Sequence, residues 1–404
     1  MGVLVIIFVK AAILVAVCVK RARNRENAVG LGAEFPLFTL DKFLQDMERE
    51  KPIRFSSQQL RIATDNFTHL LGSGGFGVVY KGIFSNGTIV AVKVLNGISN
   101  GRIQEQFMAE VSTIGRTHHF NLVRLYGFCF DRDLQALVYE YMEKGSLDRL
   151  LFCKSATLEW EKLYEIAVGT AKAIAYLHEE CQQRIIHYDI KPGNILLDAN
   201  FCPKVADFGL AKLCNREKTH MTMTCGRGTP GYAAPELWMP FPVTHKCDVY
   251  SYGMLLFEIL GRRRNLVTDL PESQEWFPRW VWKRVEKGEL GVAVGECGIE
   301  ERNREQAERL AIIALWCVQY RPEQRPCMSA VVKMLQGGFE IQKPLNPFEH
   351  MGVGPSAESV ARTVCAENYS TTPPYTGSHL TTDSSYVCAT PTMRRYEIEM
   401  ASSA

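Results

Sequence analysis

The chain has 404 residues, of which 46% are hydrophobic and 22% are charged, and its formal net charge is +2. This length exceeds one compact core and predicts two or three structural units, while a charge so close to zero gives no indication of a nucleic-acid partner. The 13 cysteines are scattered without a C-x-x-C spacing, which argues against a cysteine metal or redox site and favours free thiols in a reducing cytosol.

The segment Gly2 to Val19 is aliphatic apart from Lys10, and a basic cluster follows at residues 20–25. A helix of about 18 residues spans roughly 27 Å, which is enough for a hydrocarbon core. The basic cluster then places the following residues in the cytoplasm. We therefore expect residues 1–20 to form a single-pass transmembrane helix in the plasma membrane, with a cleaved signal peptide as the alternative. Residues 21–65 are predicted to be a basic juxtamembrane linker.

A short helix is predicted in the last part of this linker. Ser56 or Ser57 can cap it, and its apolar face carries Leu60 and Ala63. The helix would lead directly into the first strand of a domain that we assign to residues 66–340.

The run from Leu71 to Lys81 reads L-G-S-G-G-F-G-V-V-Y-K. Its glycines fit G-x-G-x-x-G, a pattern that also marks dinucleotide-binding folds. A dinucleotide-binding turn opens a helix, whereas Val78 to Tyr80 is β-branched and aromatic and therefore predicts a strand. We place Gly72, Gly74 and Gly77 in a hairpin, where backbone N–H groups can approach phosphates without obstruction by side chains.

The next strand, Ile89 to Leu95, carries one charge, Lys93, inside an apolar run. A buried lysine needs a partner. The candidate is Glu110, on a helix whose apolar residues Phe107 and Val111 recur at helical spacing. The pair would hold Lys93 towards the α- and β-phosphates of a nucleotide, whereas a solvated Glu110 is the alternative. Farther along the chain, the pattern predicts a strand over 137–142 and a long buried helix over 163–178.

Most of the chemistry lies in Ile186 to Asn194, I-H-Y-D-I-K-P-G-N, here called the catalytic loop, and in the following D-F-G at Asp207. Asp189 can accept a hydroxyl proton, and Lys191 can neutralise a transferred phosphate. Asn194 and Asp207 can hold Mg²⁺ across nucleotide oxygens. This set of residues predicts phosphoryl transfer from a nucleotide to a hydroxyl group.

The two stretches resemble the catalytic and metal-binding loops of eukaryotic protein kinases, H-R-D-x-K-x-x-N and D-F-G, with Tyr188 where most kinases have Arg. The resemblance continues in G-T-P-G-Y-A-A-P-E at Gly228 to Glu236, here called the docking segment. Phe55 to Phe67 and A-L-V-Y-E-Y-M-E-K-G-S-L-D are similar to plant receptor-like kinases of the leaf-rust-resistance-like and S-domain lectin branches. The resemblance covers about Phe55 to Gln336.

This resemblance implies an α+β, two-lobed kinase fold with a small β-rich lobe over about 66–142 and a large helical lobe over about 145–340. The transmembrane helix predicted from the apolar segment would precede it. The connector between the lobes would bind adenine, with Tyr139 at the back of the pocket. The residues implied at the nucleotide are Leu71, Gly72, Gly74, Gly77, Val79, Ala91, Lys93, Glu110, Tyr139, Met142 and Leu196.

The resemblance further implies that Thr229 hydrogen-bonds Asp189 and Lys191, a feature of kinases that act on serine and threonine. The cofactors would be ATP and Mg²⁺, and the substrates would be protein hydroxyls. The remaining partners would be the membrane and a co-receptor or a second copy of the chain. A pseudokinase that serves as a scaffold is the alternative function.

Two structural pairings are also implied. Asp248 would anchor the catalytic-loop backbone, and Arg325 would pair with Glu236 beneath the docking segment.

Because Tyr188 carries no positive charge, we expect activity to depend only weakly on phosphorylation between Asp207 and Glu236. Arg216, Lys218 and Arg227 are the candidates for a substitute phosphate-binding cation. Residues 341–404 are rich in Ser, Thr, Pro and Gly and are predicted to be a disordered tail.

Overall fold

The computed structural model describes residues 52–75, 77–96, 100–153, 158–215, 228–238, 242–267, 276–337 and 340–351. The predicted transmembrane helix at 1–20, most of the linker, and the tail beyond residue 351 lie outside these ranges. Among the helices that the structure describes, none combines the length and the apolar character needed to cross a membrane. The chain divides into two units: the N-terminal unit runs to Arg116 and includes Arg124–Tyr141, and the C-terminal unit contains Thr117–Val123 and the residues from Met142 onward.

The N-terminal unit is built on a six-stranded sheet in the order β1-β5-β6-β4-β3-β2. Its strands are β1 (Ile53–Arg54), β2 (Leu70–Gly74), β3 (Gly77–Ile83), β4 (Ile89–Val94), β5 (Leu125–Phe130) and β6 (Gln135–Glu140). Pairing is antiparallel from β2 through to β5. The short β1 pairs in parallel with β5. Strands predicted around the glycines, Lys93 and Tyr139 are therefore confirmed.

One face of this sheet is covered by helix α1 (Ser57–Ala63). Ser56 is the N-cap, and its hydroxyl accepts from the backbone N–H of Gln59, whose side chain bonds back to the N-cap backbone. This capping box settles the choice between Ser56 and Ser57. Leu60 is fully buried in a cluster with Val90, Val92, Cys129, Leu134, Ala136 and Val138. Ordered structure thus begins before residue 66.

The second helix of this unit, α2 (Asn100–Ile114), carries Glu110. Phe107 and Val111 are both fully buried. The ring of Phe107 packs edge-on against Phe128, at a centroid distance of 5.5 Å. The helix-period pattern therefore identified both the helix and its buried face.

The C-terminal unit is mainly helical. Its helices are α3 (Leu147–Leu151), α4 (Trp160–Ala175), α5 (Lys246–Gly261), α6 (Phe277–Glu286), α7 (Leu290–Glu296), α8 (Arg304–Cys317) and α9 (Met328–Leu335). Short strands form two small sheets, ordered β10-β9-β7 and β11-β8. These strands are β7 (Gly145–Ser146), β8 (Arg184–Ile186), β9 (Ile195–Leu197), β10 (Pro203–Val205) and β11 (Lys212–Cys214).

Helix α5 is the centre of this unit, because it is buried on all sides from Cys247 to Leu260 apart from Tyr250. A helix that is apolar all round can be stable only when other elements surround it. Gly253 permits one of these neighbours to come close: a Cβ atom there would lie 2.7 Å from side-chain atoms of Cys317 and of Val318. Helix α5 therefore packs tightly against the end of α8.

Helix α4 was predicted as part of one long buried helix over 163–178. Leu163, Ile166 and Ile174 are buried as expected. The helix ends at Ala175 and continues as a π-helical turn over Tyr176–Glu180. This turn places His178 in the interior, where it is fully buried.

Candidate active site

In the N-terminal unit the glycine run forms the β2–β3 hairpin. Gly72 lies opposite Val79, and Gly74 lies opposite Gly77. Gly77 has a φ of 142°, and a Cβ atom there would lie 2.2 Å from the backbone oxygen of Val94. Only glycine fits this position without displacing the neighbouring strand. No helix follows the glycines, so the dinucleotide-binding interpretation does not apply.

Lys93 and Glu110 form a buried ion pair, with 2.5 Å between Nζ and Oε1. Lys93 is 8% exposed and Glu110 is fully buried. The other carboxylate oxygen of Glu110 accepts a hydrogen bond from the hydroxyl of Tyr139. Removing one partner of such a pair typically costs about 3–5 kcal/mol, because the other charge then stays buried without compensation. The contact from Tyr139 was not predicted, although Tyr139 lies on β6, the strand beside the one that carries Lys93.

In the C-terminal unit the structure brings Asp189, Lys191, Asn194 and Thr229 together. Oδ1 of Asp189 accepts from the hydroxyl of Thr229 at 2.5 Å, and Oδ2 accepts from the Asn194 side-chain amide at 2.9 Å. Nζ of Lys191 lies 2.9 Å from Asp189 Oδ2 and donates to Thr229 Oγ1 at 2.7 Å. Asp189 is 3% exposed. The two contacts of Thr229, with Asp189 and with Lys191, are those that the sequence resemblance implies.

Asp248 holds the catalytic loop in place. Its carboxylate accepts hydrogen bonds from the backbone N–H groups of His187 and Tyr188, both at 2.8 Å. It also contacts Nε2 of His178 at 2.9 Å. Burial alone would raise the pKa of Asp248, but the hydrogen bonds from His178 and the His187 backbone outweigh burial, so its pKa lies below the usual value. The anchoring by Asp248 is as expected, whereas the contact with His178 was missed.

His187 ties the loop to the strand that precedes Asp207. The backbone N–H of Asp189 donates to Nδ1 of His187 at 3.2 Å, so we assign the ring proton to Nε2. Nε2 then donates to the backbone oxygen of Ala206 at 3.0 Å. The His187 ring also packs edge-on against the fully buried ring of Phe208, with centroids 4.7 Å apart.

The two predicted metal ligands lie at adjoining ends of paired strands. Asn194 directly precedes β9, and Asp207 follows β10. Ile195 of β9 pairs with Val205 of β10, so these two ends lie side by side. The backbone N–H of Ala206 donates to the backbone oxygen of Asn194 at 2.9 Å, so the side-chain oxygen of Asn194 takes no part in this bond. An amide oxygen and a carboxylate are ligands that Mg²⁺ accepts, and this ion usually takes few protein ligands beside phosphate and water. The donor set therefore fits Mg²⁺.

Tyr188 has a φ of 66° and is 1% exposed. Its side chain belongs to an apolar cluster formed by the catalytic loop, β11, the docking segment and the start of α5. The other buried members are Ile186, Cys214, Ala233, Ala234, Leu237, Val243 and Cys247. Apolar packing thus occupies the position at which most kinases have an arginine. The predicted alternative cations Arg216, Lys218 and Arg227 lie outside the described residues.

Two buried glutamates connect the docking segment to the rest of the C-terminal unit. Glu236 accepts two hydrogen bonds from Arg325, at 2.6 and 2.9 Å, which agrees with the pairing implied by the sequence. The hydroxyl of Tyr232 donates to Glu258 Oε2 at 2.7 Å. This second contact was missed, although a glutamate within the apolar run from Met254 to Leu260 is a signal that could have found it.

The remaining residues predicted to bind the nucleotide belong to two separate units. Leu71, Val79 and Ala91 belong to the N-terminal unit, whereas Met142 and Leu196 belong to the C-terminal unit. Leu196 lies on β9, opposite Ser146 of β7. Their contact with adenine stays a prediction.

Comparison with known proteins agrees with these observations. The family described as protein tyrosine and serine/threonine kinase matches residues 66–335. A G-type lectin S-receptor-like serine/threonine-protein kinase of Arabidopsis thaliana is 48% identical over 303 residues, which are 74% of this chain and 34% of that protein. A PR5-like receptor kinase of the same plant is 44% identical, over 73% of this chain and 45% of its own. A rust resistance kinase of Triticum aestivum is 43% identical, over 76% of this chain and 49% of its own. The chain thus spans between about a third and a half of the length of these relatives.

A pH-dependent test follows from Glu258. Burial raises its pKa from 4.5 to about 7, although hydrogen bonds from Tyr232 and Asn265 oppose that rise. The folded protein therefore favours the protonated form, and its stability falls as pH rises from the unfolded to the folded pKa. We expect Glu258→Gln to remove a pH-dependent loss of about 3 kcal/mol between these values. Urea denaturation at a series of pH values measures the difference, and parallel curves for the two proteins would contradict it.

Proposed function

The chain belongs to the family of protein tyrosine and serine/threonine kinases, and on that premise we propose that it transfers the γ-phosphoryl group of ATP to serine and threonine hydroxyls of proteins. The observation that carries this proposal is the hydrogen-bonded group of Asp189, Lys191, Asn194 and Thr229. Thr229 supports serine/threonine specificity, because its hydroxyl links the carboxylate of Asp189 to the ammonium of Lys191.

Each residue has a defined role in this proposal. Asp189 orients the acceptor hydroxyl and takes its proton, while Lys191 neutralises the phosphoryl group during transfer. Lys93, held by Glu110, binds the α- and β-phosphates. Asn194 and Asp207 would hold Mg²⁺, which supplies positive charge to the nucleotide oxygens. The arrangement lowers the barrier through positioning and electrostatic stabilisation rather than through covalent catalysis.

We also propose that the chain is a receptor-like kinase anchored in the plasma membrane by residues 1–20, with its kinase domain in the cytoplasm. The apolar sequence of this segment and the basic residues behind it support the proposal. Two of the relatives described above carry the words receptor-like or receptor kinase in their names. Its protein substrates, and a co-receptor or a second copy as partner, belong to the same proposal.

The catalytic proposal is tested with Asp189→Asn. The amide keeps the approximate shape of the carboxylate but cannot accept the hydroxyl proton, so we expect phosphoryl transfer to fall by about a hundredfold or more. Binding of ATP should stay within about threefold, because Lys93 and Asp207 serve the nucleotide. Transfer of labelled phosphate and nucleotide titration measure the two effects. Turnover close to that of the unmodified protein would disprove the role of Asp189, and an unmodified protein without activity would favour the scaffold alternative.

The buried position of Tyr188 generates a second test. The apolar cluster connects the catalytic loop to both β11 and the docking segment through side-chain packing. Replacing Thr219, Thr222 and Thr224 together by Ala should therefore reduce the rate by less than about tenfold, or 1.4 kcal/mol. Thr229 is left unchanged, because it contacts Asp189 directly. A hundredfold loss with intact ATP binding would instead indicate a substitute cation among Arg216, Lys218 and Arg227.

Membrane anchoring is tested by fractionation. The full chain should sediment with membranes and resist extraction by salt or carbonate, because a transmembrane helix of about 18 apolar residues is not released by charge screening. Replacing three central aliphatic residues of segment 1–20 by Asp should release it, whereas three Ala replacements there should not. Recovery of the unmodified chain in the soluble fraction would rule out the anchor.

A further inference from the structure

Residues 340–351, here called the C-terminal strap, follow the last residue of the family match and pack against the C-terminal unit. Pro344, Pro347 and Phe348 are buried within it. Phe348 is 5% exposed, and its ring meets Trp276 edge-on at a centroid distance of 4.8 Å. From its sequence we assigned this segment to the disordered tail. Its buried proline and aromatic side chains instead make it part of the folded unit.

Two hydrogen bonds to its backbone oxygens hold the strap against the C-terminal unit. The indole N–H of Trp316 donates to the backbone oxygen of Gln342 at 2.9 Å. The side-chain amide of Gln319 donates to the backbone oxygen of Leu345 at 3.0 Å. These donors come from the last turn of α8 and from the loop that follows it. The position of the strap therefore depends on this loop, and the position of the loop depends on the strap.

The same loop presents Arg325. The backbone oxygens of Gln319 and Tyr320 accept from the Arg325 guanidinium, at 2.7 and 3.0 Å. The side chains of these two residues contact the strap. The Gln319 amide donates a hydrogen bond to the backbone oxygen of Leu345, and the ring centroids of Tyr320 and His350 are 4.0 Å apart. Arg325 is 1% exposed. A guanidinium so deeply buried is stable only while all of its acceptors stay in position.

Arg325 in turn makes the paired hydrogen bonds to Glu236 at the end of the docking segment. We propose that the C-terminal strap is a positioning element for the docking segment, acting through Gln319, Tyr320 and Arg325. This inference rests on the proposed kinase function, since the docking segment is where a protein substrate would bind. Loosening the strap should weaken binding of the protein substrate without changing the binding of ATP.

The test compares Phe348→Ala with a matched control, Leu345→Ala, in the full chain. The Leu345 side chain is 68% exposed, and its backbone oxygen, which bonds Gln319, is kept in the control. With dephosphorylated casein as substrate, we expect Phe348→Ala to raise the KM for casein about fivefold and to leave the KM for ATP within about twofold. Amide hydrogen exchange over residues 319–325 should become faster. The control should change none of these quantities, and Phe348→Leu should restore part of the casein KM.

A second variant covers the case in which Phe348→Ala does not fold. Gln319→Met keeps the backbone oxygen that Arg325 uses and removes the amide bonds to Leu345 of the strap and to Leu315 of α8, so it should raise the casein KM in the same direction. A lower thermal midpoint with an unchanged casein KM in both variants would overturn the proposal, because the strap would then serve stability alone. If the unmodified chain does not phosphorylate casein, the proposed function fails. Hydrogen exchange still tests whether the strap is coupled to the loop that carries Arg325. Faster exchange at 319–325 in Phe348→Ala than in Leu345→Ala supports this coupling, and equal exchange overturns it.

Discussion

The carboxylate of Asp248 is the constraint on which the candidate active site depends. It lies at the start of the buried helix α5 and is fully buried. A charge in this environment is tolerated only when hydrogen bonds replace the water it has lost. Those bonds come from the backbone of His187 and Tyr188 and from the ring of His178. The catalytic loop is therefore held through its backbone at the two residues that precede Asp189.

Three buried glutamates also connect separate elements. Glu110 connects α2 to β4 and β6 through Lys93 and Tyr139. Glu236 connects the docking segment to Arg325, and Glu258 connects it to α5 through Tyr232. Burying ionic groups is costly, and apolar residues of the same volume often stabilise a protein equally well. We therefore attribute a positioning role to the contacts of these glutamates. Each contact defines which elements meet and where along their length they do so.

Tyr188 illustrates the alternative to a charged contact. An arginine at this position would need an anion as partner, and its effect would vary with the presence of that anion. Tyrosine instead packs with Cys214 of β11 and with Ala233 and Ala234 of the docking segment. Apolar packing is present whenever the chain is folded. The backbone at Tyr188 is left-handed, with a φ of 66°, and its N–H and that of His187 both donate to Asp248.

The sequence alone determined the local elements and the order of the chemical groups. Steric preferences of neighbouring residues and helical or strand periodicity are local properties, so they identified the glycine hairpin, the strand with Lys93, the helix with Glu110 and the D-x-K-x-x-N loop. Only the tertiary structure decided which distant side chains meet. His178 on Asp248, Tyr139 on Glu110 and the strap at Phe348 join residues that lie far apart in the chain. Periodicity cannot indicate such contacts, because they depend on how whole elements pack and on which buried polar groups must then find a partner.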